Sequence, residues 1–211
     1  MMRSRYDSCA KVRVFMDYWN FAINWRDLTG KTPDKNLNWE KLPFAILDGL
    51  DAIPHLRNIR KELRGLKVYA AVKPCDHADD TFNSDEMEEE RRFQTWLQHD
   101  LDQISGYTVD ITTKSNTPLL CSVCNNNTVH FIEQGVDTKI AIDLVSLASR
   151  DLYDIAVLVT DDQDLVPSTQ CVQDSIDKHV VHLGFKERKS PVRLETWGHL
   201  FVENMLSSIA R

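Results

Sequence analysis

The chain has 211 residues, of which 42% are hydrophobic, and its formal net charge at pH 7 is −7. This length and composition suit one globular domain with a full core, and the acidic balance argues against broad electrostatic binding to nucleic acid, although a local basic rim stays compatible with it. Because no apolar run approaches the ~20 residues that span a bilayer and the N-terminus lacks a hydrophobic segment of signal-peptide type, we expect neither membrane insertion nor secretion.

Strands and helices alternate along the predicted chain after an N-terminal arm at residues 1–10. The predicted strands cover residues 11–16, 66–72, 107–113, 155–159 and 180–184. The predicted helical segments cover residues 21–28, 39–63, 84–104, 135–148, 165–176 and 194–209. This alternation predicts one α/β domain over residues 11–185, with a central parallel sheet and right-handed crossovers. Residues 186–211 are predicted to add a basic segment and a C-terminal helix packed on the domain.

Carboxylates directly follow two of the predicted strands. Asp17 ends the first strand, and Asp162 and Asp164 follow the fourth, where a turn can aim both side chains into the crevice outside a parallel sheet. Clustered carboxylates repel one another and usually need a cation, and their hard oxygen ligands suit Mg²⁺ or Mn²⁺. The alternative for Asp17 is a helix N-cap. Asp161 is expected to face solvent in the turn, with an indirect role behind the other acids as the alternative.

Three short segments form a pattern along the chain: residues 14–20 (VFMDYWN), residues 133–137 (EQGVD) and residues 157–165 (VLVTDDQDL). A first strand ending in Asp with Asn three residues later, a Gly-x-Asp before a helix, and a strand followed by Thr-x-Asp-x-Asp resemble the NYN domain, and most of all its LabA-type members. The NYN domain is a branch of the PIN-like ribonuclease superfamily. The resemblance covers roughly residues 11–185.

The resemblance implies a single PIN-like, Rossmannoid domain that acts as a metal-dependent nuclease on RNA. Its expected sheet has about five strands in the order 3-2-1-4-5 with helices on both faces, so the first and fourth strands are neighbours at the topological switch point. The residues that match the family's acidic positions, and would bind Mg²⁺ or Mn²⁺, are Asp17, Asp137, Asp162 and Asp164. Asn20 matches its polar partner.

Several further side chains are candidates for contact with the substrate. Tyr18 and Trp19 stand where the family usually has Gly, and they would either restrict access or stack on a base. Candidates for phosphate contact are Lys73, Lys139, Lys186 and Arg188, the last two from the basic segment after the fifth strand. For Lys73 and Lys139 the alternative is an ordinary solvated side chain.

The five cysteines of the chain raise two separate expectations. Because their number is odd and a core of this size needs no disulfides, a reducing, cytoplasmic setting is favoured. Cys121 and Cys124 are separated by two residues within an irregular insert at residues 114–134, and Cys75 and His77 follow the second strand. These four could supply the ligands of a structural Zn²⁺, with an unliganded loop as the alternative.

Two other functions remain open at the level of sequence. One is a catalytically silent PIN-like module that binds RNA or protein, and the other is a nuclease directed at DNA. Intact acids at all four positions argue against the silent module, because binding alone does not need them. Self-association cannot be read from the sequence.

Overall fold

A computed structural model describes residues 9–74, 84–120, 127–186 and 196–211, with the backbone alone at residues 84, 117–120 and 127–130. The strands are β1 (Ala10–Asp17), β2 (Lys61–Val72), β3 (Tyr107–Thr113), β4 (Ser115–Leu120), β5 (Asn127–Ile132), β6 (Ile155–Val159), β7 (His179–Gly184) and β8 (Gly198–Phe201). The helices are α1 (Tyr18–Thr29), α2 (Pro33–Asn36), α3 (Leu42–Leu50), α4 (Ser84–Trp96), α5 (Val136–Ser149), α6 (Val166–Gln170) and α7 (Leu206–Ile209). Within the described part of the chain, no helix combines the length and the apolar composition that a membrane crossing requires.

Six strands form a parallel sheet in the order β3-β2-β1-β6-β7-β8. The first five strands follow the predicted order, and β8 extends the sheet by one strand at its edge. The pairing of β1 with β6 runs from Val12 opposite Ile155 to Met16 opposite Val159, and all five residues of β6 are buried. Asp17 and the segment after Val159 are therefore adjacent at the carboxyl edge of the sheet.

Side-chain alternation along β1 divides the core into two layers. Val12, Val14 and Met16 face the layer covered by α1 and α3, whereas Phe15 faces the layer covered by α5. The fold is thus an α/β sandwich with helices on both faces of a buried parallel sheet, as predicted.

The predicted helix over residues 39–63 is wrong in its second half. Only α3 is helical, a series of turns follows it, and β2 already begins at Lys61. The apparent helical stripe is misleading, since Phe44, one of its members, is 68% exposed. The long β1 also needs partners along its whole length, and Ala10 pairs opposite Lys61. Strand pairing therefore outweighs the local helical pattern.

The predicted C-terminal helix over residues 194–209 is also wrong. In its place, over the described residues 196–209, β8 pairs in parallel with β7, and helical structure is confined to a 3₁₀ turn at Val202–Asn204 and to α7. Pairing with β8 covers backbone groups of β7 that an edge strand would leave unpaired. Gly198 leaves room for Ile53, which lies in the turns after α3, because a Cβ at this position would lie 2.9 Å from Cδ1 of Ile53.

The insert at residues 114–134 was predicted to be irregular, but it contains a regular hairpin. Strands β4 and β5 pair antiparallel, with Ser115 opposite Ile132. The hairpin leaves the sheet immediately after β3 and returns just before α5. It therefore begins and ends beside the carboxyl edge of the sheet.

Candidate active site

Asp17 lies at the junction between β1 and α1. It is the last residue of β1 and the N-cap of α1, and its Oδ1 accepts a hydrogen bond of 3.1 Å from the backbone N–H of Asn20. Its side chain is nearly enclosed, with 6% of the residue exposed. The two interpretations offered by the sequence, a helix cap and an acid at a strand end, therefore apply to the same carboxylate.

Asp162 and Asp164 lie on a tight turn that follows β6. Asp162 caps the 3₁₀ turn Gln163–Leu165, and its Oδ1 accepts a hydrogen bond of 2.9 Å from the backbone N–H of Asp164. The backbone N–H of Asp162 in turn donates to Oγ1 of Thr160 at 3.2 Å. These bonds hold the two acids in one short turn beside the end of β1.

Asp137 comes to the same edge from α5. It lies in the first turn of this helix, after Gly135, whose φ of +85° suits glycine. Burial raises the pKa of Asp137, and the negative charges of Asp162 and Asp164 raise it further. Asp137 is therefore within electrostatic reach of the two acids after β6.

The pKa of Asp17 connects the first strand to this group. Burial raises this pKa to about 7, the hydrogen bond from Asn20 opposes the change, and the charges of Glu133 and Asp137 add to it. Acids from three separate stretches of the chain thus repel one another at one edge of the sheet. We call this group the acidic cluster; its members are Asp17, Glu133, Asp137, Asp162 and Asp164.

Glu133 is the member that sequence reasoning missed. Burial raises its pKa, the charge of Lys114 lowers it, and the charge of Asp137 raises it. The signal was present in the sequence, because Glu133 opens the same EQGVD segment that contains Asp137. That segment therefore contributes two carboxylates to the edge rather than one.

The acidic cluster does not form a closed metal cage. Among the side chains that the structure describes, no three His, Cys, Asp or Glu residues are grouped closely enough to hold a metal ion by themselves. The donor set is nevertheless that of a hard cation, since it consists of carboxylates alone. Mg²⁺ commonly keeps several waters and binds through only one or two carboxylates, so these residues fit a hydrated Mg²⁺ or Mn²⁺ rather than a fully protein-ligated ion.

Comparisons with known proteins identify the family of this chain. The family model described as the NYN domain matches residues 11–196. The chain belongs to the NYN domain family. NYN domains fall within the PIN-like nuclease superfamily, so the chain is a member of a nuclease family. LabA-type membership stays a prediction.

The fold of this NYN domain is also found among solved structures. One is a protein of unknown function from Vibrio parahaemolyticus, with a TM-score of 0.55 and 15% sequence identity over 98% of this chain and 99% of the other. At this identity the likeness concerns the fold alone. No curated protein matches the chain.

Asp161 of the NYN domain does not face solvent, so that expectation was wrong. It is 7% exposed, and its side chain points inward between α1 and β7. Its Oδ2 accepts a hydrogen bond of 3.3 Å from Nδ2 of Asn24, and its backbone N–H donates to Oδ1 of Asn20 at 3.0 Å. Polar partners on α1 thus offset the cost of burying this carboxylate.

The two aromatic residues after Asp17 differ in accessibility. Tyr18 is 2% exposed and packs against Trp39, Phe93 and Trp96, so it offers no free face for stacking on a base, and that prediction was wrong. Trp19 is only partly buried; its Nε1 donates to the carbonyl of Ala71 at 2.6 Å. Both residues line a groove of about 780 Å³ between α1 and α4.

Two of the basic candidates, Lys139 and Lys186, make contacts within the protein. Lys139 forms an ion pair with Asp110 at 2.6 Å, and Asp110 is shared with Lys67. Lys186 bonds to Asn204, and its Nζ lies 5.3 Å from the ring centre of Phe201. The Lys139 side chain remains 42% exposed in this ion pair, so its contact with phosphate stays a prediction.

Lys73 lines the groove, and its Nζ lies 5.5 Å from the ring centre of Phe131. The remaining candidates lie outside the described residues. They are Arg188 and the proposed zinc ligands Cys75, His77, Cys121 and Cys124.

Proposed function

We propose that this NYN domain is a Mg²⁺- or Mn²⁺-dependent ribonuclease that hydrolyses phosphodiester bonds of RNA at the acidic cluster. The observation that carries the proposal is the grouping of Asp17, Asp137, Asp162 and Asp164 at one edge of the sheet. Burial raises the pKa of Asp17 and Asp137; the charges of Glu133 and Asp137 raise that of Asp17 further, and the charges of Asp162 and Asp164 raise that of Asp137. Repelling carboxylates at a crevice are stabilised when a divalent cation neutralises them. Helix capping or packing alone gives no reason to bring these charges together.

Asp17, Asp137, Asp162 and Asp164 would hold the ion, with water completing its coordination. When bound, a divalent ion lowers the pKa of a coordinated water and offsets charge on the phosphodiester oxygens. With a pKa of about 7, the Asp17 carboxyl is partly protonated near neutral pH, so it must release this proton as the ion binds. Ion binding therefore weakens as the pH falls below neutrality.

Asn20 would orient the substrate or a water beside Asp17. Its Oδ1 accepts a hydrogen bond from the backbone N–H of Asp161. The amide nitrogen of Asn20 is consequently the atom that would donate to a phosphate oxygen or to a water. Trp19 and Lys73, which line the groove beside Asp17, are candidates for contacts with the nucleotide next to the cleaved bond.

The test uses single-stranded RNA and a DNA of the same sequence. Each is incubated with the wild-type chain in Mn²⁺, with the wild-type chain in Mn²⁺ plus chelator, and with Asp162→Asn in Mn²⁺. The matched control is Asp27→Asn, which removes an exposed carboxylate from α1. We expect cleavage of RNA by the wild-type chain and the control, and loss of cleavage in chelator and in Asp162→Asn. Activity that survives in chelator contradicts metal dependence, and a preference for DNA contradicts RNA as the substrate.

A catalytically silent RNA-binding module is the second candidate. The observation in its favour is that no three acids of the described residues form a ready-made metal group. Such a module would bind RNA equally well with Mn²⁺ and with chelator, and it would leave the RNA intact. Filter binding and gel analysis of the same samples distinguish the two candidates. A reducing, cytoplasmic setting is part of both proposals.

A further inference from the structure

Three polar side chains are buried together behind the acidic cluster. Asn24 on α1, Asp161 after β6 and His182 on β7 are 9%, 7% and 4% exposed. Sequence reasoning assigned no function to Asn24 or His182. Burying polar groups costs free energy unless they find partners, so their occurrence together calls for a physical explanation.

Contacts among these side chains join three elements. Nδ2 of Asn24 lies 3.3 Å from Oδ2 of Asp161, and it also donates to the backbone carbonyl of Asn20 at 2.8 Å. On the other side, Nε2 of His182 lies 3.1 Å from Oδ1 of Asp161, in contact but without the alignment of a hydrogen bond. Asp161 is thus held between α1 and β7.

Hydrogen bonds of Asn20 link Asp161 to the other end of the acidic cluster. The backbone N–H of Asn20 holds Oδ1 of Asp17, and Oδ1 of Asn20 accepts the backbone N–H of Asp161. Asp161 is covalently joined to Asp162. A continuous series of short contacts therefore runs from the carboxylate after β1 to the turn after β6.

Gly184, at the end of β7, packs closely against His182 and Asp161. A Cβ at Gly184 would lie 2.6 Å from Cε1 of His182 and 3.2 Å from Oδ1 of Asp161. Any side chain at this position would displace His182 and press on Asp161. The position of Asp161 is thus determined from the β7 side as well as from α1.

We propose that Asn24, Asp161 and His182 are positioning residues that set the separation between Asp17 and Asp162. The inference rests on the proposed function, because the separation matters only if both carboxylates serve one ion. Asp137 repels both Asp17 and Asp162, and these contacts hold the segments of the latter two together. Residues that orient metal ligands typically change metal affinity or activity by about 10- to 100-fold when they are replaced.

The experiment compares Asn24→Ala and Gly184→Ala, which disturb the contacts from opposite sides. The control is Tyr153→Phe, which removes a buried hydrogen bond of 2.6 Å to the carbonyl of Leu144. Each variant is assayed for Mn²⁺ affinity, for kcat and KM on RNA, and for hydrogen exchange of the Asp161 amide. The folded fraction is measured by denaturant titration, so that all values refer to folded protein.

We expect Mn²⁺ affinity and kcat to fall about 10- to 100-fold in both test variants while KM changes by less than about twofold, and the Asp161 amide to exchange faster. Tyr153→Phe should lose stability but keep all of these values. If one test variant does not fold, the other decides the result.

Two failures are distinguishable. A wild-type chain that neither binds Mn²⁺ nor cleaves RNA overturns the proposed function and this inference with it. An active wild-type chain whose folded test variants match Tyr153→Phe in kcat and Mn²⁺ affinity overturns the positioning role alone. An Asp161 amide that is unprotected in the wild-type chain also overturns it.

Discussion

Replacing Asp17 by Asn should stabilise the metal-free protein while it abolishes cleavage. Burial and neighbouring acids raise the pKa of Asp17 from 3.8 to about 7. A carboxyl whose pKa is higher in the folded state favours folding at low pH, and this contribution is lost as the pH rises through the folded pKa. Above pH 7 the folded protein therefore carries an ionised group that its surroundings disfavour.

The magnitude follows from the two pKa values. Because the two values differ by about 3, Asp17 destabilises the folded wild-type chain by about 4 kcal/mol at pH 8. At pH 5 this destabilisation is about 2 kcal/mol, because the carboxyl is then protonated in the folded state and ionised in the unfolded state. Asn keeps the shape of Asp and remains a good N-cap, so the hydrogen bond to Asn20 need not be lost. For a chain of this size, 4 kcal/mol corresponds to a rise in Tm of roughly 10 °C.

The assay is denaturant unfolding of the wild-type chain and Asp17→Asn in chelator, at pH 5 and at pH 8. The difference between the two proteins isolates Asp17, because titrations that they share cancel. We expect Asp17→Asn to be the more stable protein, with an advantage that grows between pH 5 and pH 8. In saturating Mg²⁺ the advantage should shrink, since only the wild-type chain gains stability from the ion.

Either of two results would refute this reasoning. If Asp17→Asn is less stable than the wild-type chain at pH 8, the carboxylate acts mainly as a favourable helix cap. If the stability difference does not change between pH 5 and pH 8, Asp17 does not titrate in this range. Both results would also weaken the case for an unfavourable charge that an ion relieves.

Three further outcomes are expected. Glu133→Gln removes a charge that raises the pKa of Asp17, so the pH at which Mn²⁺ binding is half lost should move downward in binding titrations across the acid range. Lys139→Met breaks a partly exposed ion pair with Asp110, so denaturation should show a loss of about 1 kcal/mol or less while KM for RNA stays unchanged; a large rise in KM would instead support Lys139 as a phosphate contact. Mg²⁺ at 100 times its dissociation constant should stabilise the wild-type chain by about 2.7 kcal/mol in thermal scans and have no effect on Asp162→Asn.

Local sequence patterns predicted the elements on which the site depends. The β-branched, apolar strand at residues 155–159 and the alternating first strand have patterns that distinguish buried strands from their surroundings. Their carboxyl ends carry the acids, and the parallel order places those ends side by side. The strand order alone therefore predicts that Asp17 and Asp162 lie at the same edge of the sheet.

The errors arose where a distant partner determines the local structure. Residues 198–201 form a strand because β7 offers an edge for pairing, and the local sequence of this short segment does not predict that pairing. Asp161 is buried because Asn24 and His182 supply its surroundings, and these residues lie 137 and 21 positions away in the sequence. The one local signal is a polar residue, His182, within the otherwise apolar strand VVHLG.

Asp17 shows why a structural and a functional interpretation need not compete. A helix cap requires a side chain that accepts a hydrogen bond, and Asn or Ser satisfies this need without a charge. The dipole of α1 favours a carboxylate at its N-terminus, yet burial and the acids at 133 and 137 outweigh that effect and raise the pKa of Asp17 to about 7. Capping therefore explains the hydrogen bond to Asn20 but not the charge, whereas binding of a divalent cation requires the charge. If Asp17→Asn retained full Mn²⁺ affinity, capping alone would suffice and the ligand role of Asp17 would be excluded.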